Sequence, residues 1–203
     1  MTQALFGIFS AFGLSASAGL NAYIPLLVVG VTAHYTNLIK LTPPYDTLAN
    51  PWILILLGVL LIIEMLADKV PLANHINDGI QTFVRPVAGA IVFAAGTGAV
   101  HGINPLVALA CGLLVAGAVH VTKSAVVRPI VTSTTAGVGN VPVSVAEDVA
   151  STAVSVASII VPVAIAALTA IIVLVLLWWW AHSRGSAATA SLPQQEPGNR
   201  HGA

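Results

Sequence analysis

Apolar residues dominate the segments at about 4–31, 51–67, 86–100, 105–122 and 142–181, and shorter polar stretches separate them. Runs of this length and purity suit helices that cross a hydrocarbon layer, not strands or the core helices of a water-soluble domain. The pattern predicts an all-α chain, a polytopic membrane helix bundle of five spans, or six if Pro162 opens a hairpin. The membrane domain is expected over residues 1–182.

In the first segment, helical spacing puts Ser10, Gly13, Ser17 and Asn21 on one face, with Pro25 beyond them. Small residues let membrane helices approach closely. Pro25 has no amide hydrogen to offer the carbonyl four residues back, so the span is expected to bend near Asn21. The stretch from Ala4 to Leu14 followed by Ala16-Ser17-Ala18 imitates a cleaved secretory signal. No Lys or Arg precedes it, however, and the hydrophobicity continues from Leu20 to Val31, so the segment is read as a retained first span.

Residues 32–50, with His34, Lys40, Pro43, Pro44 and Asp46, read as a loop outside the hydrocarbon. Asn50-Pro51 and Asn104-Pro105 are matching helix starts, because Asn caps free amides and Pro tolerates the first helical position. These starts stand 54 positions apart, as do Lys69 and Lys123, and Pro86 and Pro142 nearly keep the phase. The spacing predicts an internal repeat over 50–100 and 104–160. Each unit would contain a span, a polar connector and a helix opening at proline.

The connectors, 71–85 and 124–141, are too polar to span and are expected to be re-entrant or to lie at the membrane interface. In the first, Leu72, Ile76, Ile80 and Phe83 form one helical face opposite Asn74, Asn77, Asp78 and Gln81. In the second, Gly137, Gly139 and the β-branched run from Thr132 oppose a long helix. The last apolar region would measure about 60 Å as one helix, twice the hydrocarbon thickness, so a break is expected at Pro162. Trp178-Trp179-Trp180 reads as an interfacial anchor. Residues 183–203 are rich in Ser, Ala, Gly, Pro and Gln and are expected to be disordered.

Composition agrees with the pattern. Of the 203 residues, 57% are hydrophobic and 7% charged, against about 25% charged in soluble domains. Mean hydropathy is +0.95. Seven basic and seven acidic residues cancel without any cationic block, which speaks against a nucleic-acid partner. The lone Cys111 supplies neither a disulfide framework nor a cysteine metal motif.

Charges that persist in so apolar a chain are the candidates for chemistry. Glu64 and Asp68 lie one helical turn apart, followed by Lys69, Asp78 and Arg85. His120, Lys123 and Arg128 stand at the matching end of the fourth span. Asn140, Ser144, Glu147 and Asp148 open the last region, where Ser144, Glu147, Asp148, Ser151, Ser155 and Ser158 share an arc of about 100° opposite Val and Ala. That stripe either turns inward to a cavity or marks an amphipathic helix at the interface.

These twelve residues compose the expected substrate or ion pocket. Three roles fit it: a small permease or channel-like transporter, an intramembrane enzyme acting on lipid or polyisoprenoid phosphates, or a scaffold whose ion pairs only specify packing. His75, His101 and His120 with the carboxylates include metal-ligand types, but no HExxH or other ligand spacing supports a metal or other cofactor. The partners expected are membrane lipids, a small ion or polar solute, and a second copy of the chain. Lys69, Arg85, Lys123 and Arg128 on one side against Lys40 on the other would put the cluster in the cytoplasm.

Several short motifs carry a family resemblance: Gly19-Leu20-Asn21-Ala22-Tyr23-Ile24-Pro25, Glu64 with Ala67-Asp68-Lys69, Thr82-Phe83-Val84-Arg85-Pro86, and Gly139-Asn140 with Glu147-Asp148. On these the chain resembles a bacterial family of multi-pass membrane proteins catalogued as domain of unknown function 4126, over about residues 5–180. The resemblance implies a bacterial inner-membrane location and weight at those positions. It implies no substrate and no catalytic role.

Overall fold

The computed structural model describes residues 2–68, 71–98 and 103–189, and every regular element among them is helical. In chain order these are α1 (Thr2–Leu20), α2 (Tyr23–Tyr35), a 3-10 turn (Tyr45–Ala49), α3 (Pro51–Ala67), α4 (Pro71–Thr97), α5 (Pro105–Thr122), a π-helical turn (Lys123–Val127), α6 (Arg128–Thr135) and α7 (Asn140–Thr189). Three helical stretches are long and apolar enough to cross a membrane: Gly79–Thr97, Pro105–Thr135 and Asn140–Pro162. Phe6–Leu20, Tyr23–Tyr35 and Pro51–Ala67 are shorter apolar helices. The molecule is a helical membrane bundle.

Two compact units divide the chain, Met1–Val163 and Ala164–Ala203. Within the second, the described residues belong to α7, where Leu174, Val175 and Trp178 are exposed. The side chains of Trp179 and Trp180 lie outside the described residues, as do residues 190–203 of the expected tail.

In the first unit the usual distribution of side chains is reversed. Trp52, Ile55, Ile62, Ile63 and Leu66 of α3 face outward, whereas Asn21, Gln81 and Arg85 are each no more than 1% exposed. Large apolar side chains outside and polar ones gathered inside suit a lipid solvent. The buried centre is built from small residues. Gly19 of α1 lies against the Ala116 carbonyl of α5, where an added Cβ would come within 2.6 Å of that oxygen. At Gly89 of α4 a Cβ would stand 2.9 Å from the Gly112 carbonyl of α5. Ala88, Ala94, Ala108 and Ala116 are buried around these contacts, and Phe12 packs edge-on to Phe93 with centroids 5.0 Å apart.

Asn50 and Asn104 both cap their helices, accepting from the Trp52 and Leu106 amides at 2.9 Å. Beyond these starts, three expectations are corrected. The first segment does not merely bend: it divides into α1 and α2. Pro25 cannot donate to the Asn21 carbonyl, and beside this gap the Asn21 side chain satisfies the first free amides of α2, its Oδ1 accepting from Tyr23 (3.0 Å) and Ile24 (3.2 Å).

Pro86 does not open a helix but lies inside α4, which starts at Pro71 and absorbs the first connector. Asn77 of that connector donates to Asp68 and Gln81 is buried among protein side chains, so the helix has no need to end where its composition changes. Pro162 likewise stands inside α7. The second connector becomes the π turn, α6 and a tight turn in which Ala136 (φ 52°) and Gly137 (φ 88°) adopt the left-handed conformation. That conformation is easy for glycine and uncommon for alanine.

Candidate functional site

The ends of α3 and α5, the first half of α4, the start of α7 and the break between α1 and α2 converge on one set of polar side chains. Glu64 and Arg85 lie at its deepest point, each side chain 1% exposed, and Arg85 Nη2 donates to Glu64 Oε1 at 2.9 Å. Arg85 Nη1 lies 3.4 Å from Nδ1 of buried His120, whose Nε2 is 3.2 Å from Thr82 Oγ1. A guanidinium has only donors, so Nδ1 accepts and Nε2 carries the ring hydrogen toward Thr82. The phenol of Tyr23 lies near Glu64, Gln81 and Arg85. Glu64 Oε2, Gln81 Oε1 and Arg85 Nε are buried without a hydrogen-bond partner, a condition that polar atoms in a protein interior rarely meet.

A second layer is organised by Asp68, one turn further along. Its Oδ1 accepts from Asn77 Nδ2 and its Oδ2 from Ser144 Oγ, both at 2.7 Å. Arg128 Nη2 lies 3.7 Å from Asp68 Oδ2 and 3.9 Å from Glu147 Oε2, bridging the two acids. Lys123, buried, pairs with Glu147 Oε2 at 2.5 Å and donates to the Leu20 carbonyl at 3.2 Å. Asp148, half-buried, accepts from Asn21 Nδ2 at 2.9 Å. Asn21 thereby joins the α1–α2 break to α7: its oxygen caps α2 while its nitrogen holds the carboxylate.

The serine stripe of α7 faces protein. Ser17 Oγ meets the Ser151 hydroxyl at 2.8 Å and the Ser155 hydroxyl at 2.6 Å, and all three side chains are fully buried. Ser158 packs against Gly13, where no room for a side chain exists. On the opposite face, Val145 and Val149 are exposed.

Of the twelve expected pocket residues, Glu64, Asp68, Arg85, His120, Lys123, Arg128, Ser144, Glu147 and Asp148 are thus brought together. Asn140 is set apart. It exchanges hydrogen bonds with Thr132 (3.1 and 3.3 Å) where α6 turns into α7. Lys69 and the side chain of Asp78 lie outside the described residues. Asn21, Asn77, Gln81 and Thr82 belong to the cluster without having been chosen from sequence. Asn77 and Gln81 stood on the polar face of the first connector, and Asn21 four residues before Pro25 was the signal of a capped break. Among the described residues no group of three or more His, Cys, Asp or Glu side chains is placed to hold a metal.

The family model described as Domain of unknown function (DUF4126) matches residues 8–182. The chain belongs to that family. No curated protein and no solved structure matches it. The match takes in every residue of the DUF4126 cluster just described, from Ser17 to Ser155.

Proposed function

We propose that this DUF4126 protein is a small permease or channel-like transporter of the bacterial inner membrane, whose charged cluster binds a proton or another small cation. One observation carries the reading. Glu64 pairs with Arg85, Glu147 with Lys123, and Asp68 with Arg128, yet the Asp148 carboxylate meets the neutral Asn21 amide and no cation among the described residues. Matched pairs are what a scaffold needs. A fourth carboxylate, half-buried at a helix break, is what a pathway for positive charge needs.

Neutralising Asp148 would alter its bond to Asn21, and Asn21 also caps α2. Occupancy of the carboxylate is thereby linked to the geometry of the break. In this reading the first connector and the start of the second, as far as Arg128, line the pocket as re-entrant or interfacial elements. Arg85, Lys123 and Arg128 balance the remaining acids, and the cluster faces the cytoplasm. Membrane lipids surround the apolar exterior, and a second copy of the chain completes the enclosure of the path.

The test is flux in liposomes. Wild type, Asp148→Asn and Arg85→Gln are reconstituted, and proton and monovalent-cation fluxes are measured beside thermal stability and metal content. Asp148→Asn is expected to lose most of the flux at nearly unchanged stability. Wild-type flux no greater than that of empty liposomes, or an Asp148→Asn variant as active as wild type, overturns the proposal.

A further inference from the structure

A helix that ends inside a bundle leaves carbonyl oxygens without intrahelical partners, at the negative end of its dipole. At the α1–α2 break one of these, Leu20 O, is met by the ammonium of Lys123. The same ammonium forms an ion pair with Glu147 Oε2, and both Glu147 carboxylate oxygens are buried without a hydrogen-bond partner. Lys123 begins the π-helical turn, and the close approach of Gly19 to Ala116 and Val119 brings the end of α1 within reach of its stem. π turns inserted in α-helices recur at functional sites. The ligands converging here are a main-chain oxygen and a carboxylate, an oxygen set with one negative charge. Such a set suits a monovalent cation, and above all a primary ammonium, which has three N–H donors to place.

We propose that the α1–α2 break and Glu147 form a monovalent-cation site, which the ammonium of Lys123 fills from within the chain. A free ion is therefore not required to hold the break against α7; the lysine is a tethered substitute for one. The proposal goes beyond the transport reading and is independent of it, because it concerns what stabilises the break and is read from stability, not flux.

Substituting the tether with free ligands is the test. Thermal unfolding of the full chain in detergent is followed for wild type, Lys123→Ala and Lys123→Met, in sodium chloride, propylammonium chloride and tetramethylammonium chloride at equal ionic strength. Lys123→Ala opens the space for a free cation and should regain at least half of its lost Tm in propylammonium. Tetramethylammonium, which has no N–H, should restore little, and Lys123→Met, whose side chain fills the space, should not respond. A Lys123→Ala protein indifferent to propylammonium, or rescued equally by tetramethylammonium, overturns the proposal.

Should Lys123→Ala fail to fold, amine acetylation followed by mass spectrometry decides. Lys123 is expected to react far more slowly than exposed Lys40 in wild type, and about tenfold faster in Glu147→Gln than in wild type. Equal labelling of Lys123 and Lys40 in wild type, or no increase in Glu147→Gln, also overturns it.

Discussion

The crossing of α1, α4 and α5 and the polar cluster are both buried, but they exclude alternatives in different ways. At the crossing, Gly19, Gly89 and Gly112 let backbones touch, and the contact is selected by shape: a side chain one carbon larger has no place to go. In the cluster, Glu64, Asp68, Glu147, Arg85, Lys123 and Arg128 are selected by matching, each charge tolerable only because its partner is present. Shape is specified by the absence of atoms and fails when atoms are added. Charge matching fails when atoms are removed, and it can be restored by removing the partner as well. The two regions therefore call for opposite perturbations.

The largest effect is expected from Arg85→Met, which leaves Glu64 as a deeply buried carboxylate without its cation. Half-removal of a buried pair costs about 3–5 kcal/mol, whereas exchanging both members for apolar groups is often neutral. Arg85→Met with Glu64→Leu should thus recover more than half of the loss in a thermal or denaturant titration. No recovery in the double variant would mean that the pair is not held by mutual compensation. If recovered stability comes without recovered flux, the cluster does more than pack.

Gly112→Val is expected next, at about 1–3 kcal/mol of overpacking. Here neither a charge change nor the trimming of a neighbouring side chain should help, because the atoms a new Cβ would meet are the Gly89 carbonyl oxygen, the Phe93 Cβ and the Ala90 Cα, all at or next to the main chain of α4. Restoration of Gly112→Val by any charge change in the cluster would erase the distinction between the regions.

The sequence displayed these two kinds of specificity unequally. The apolar runs at 51–67 and 105–122 and the Asn-Pro starts at 50 and 104 are local signals, and α3 and α5 stand where those signals put them. The amphipathic arc of the serine stripe was legible too, but which way it turned was not, and the contacts with Ser17 decide that. Helix ends set by tertiary partners were not legible. Pro86 looks like a start, and only the contacts of Asn77 and Arg85 explain why α4 passes through it. Pairing was equally hidden, since Glu147 could meet Arg85, Lys123 or Arg128 on composition alone. The role of Asn21 required knowing that Pro25 breaks the helix instead of bending it, and that Asp148 arrives at the break from 127 residues away.

Smaller effects come from neutral hydrogen bonds, which lie between the two regimes. Ser17→Ala removes the group that joins Ser151 and Ser155. A loss of about 0.5–1.5 kcal/mol is expected, because interhelical hydrogen bonds in membranes contribute modestly and the two remaining hydroxyls can turn to main-chain oxygens of their own helix. The decisive measurement is a double-mutant cycle of Ser17→Ala with Ser155→Ala. A coupling much above that range would put the serine contact with the charge pairs.

Asn140→Ala is expected to change least. Its bonds to Thr132 span a partly exposed turn and touch none of the paired charges, so the loss should stay within about 0.5 kcal/mol, typical of surface positions. Flux should also be unaffected, which makes this variant the sharpest check on the boundary of the site. Asn140 belongs to the polar sequence that leads into Ser144, Glu147 and Asp148, but the left-handed turn at Ala136 and Gly137 directs it to α6 instead of to the cluster. If Asn140→Ala abolished flux while leaving the melting curve unchanged, the α6–α7 turn would have to be part of the path. Charge matching would then no longer define where the site ends.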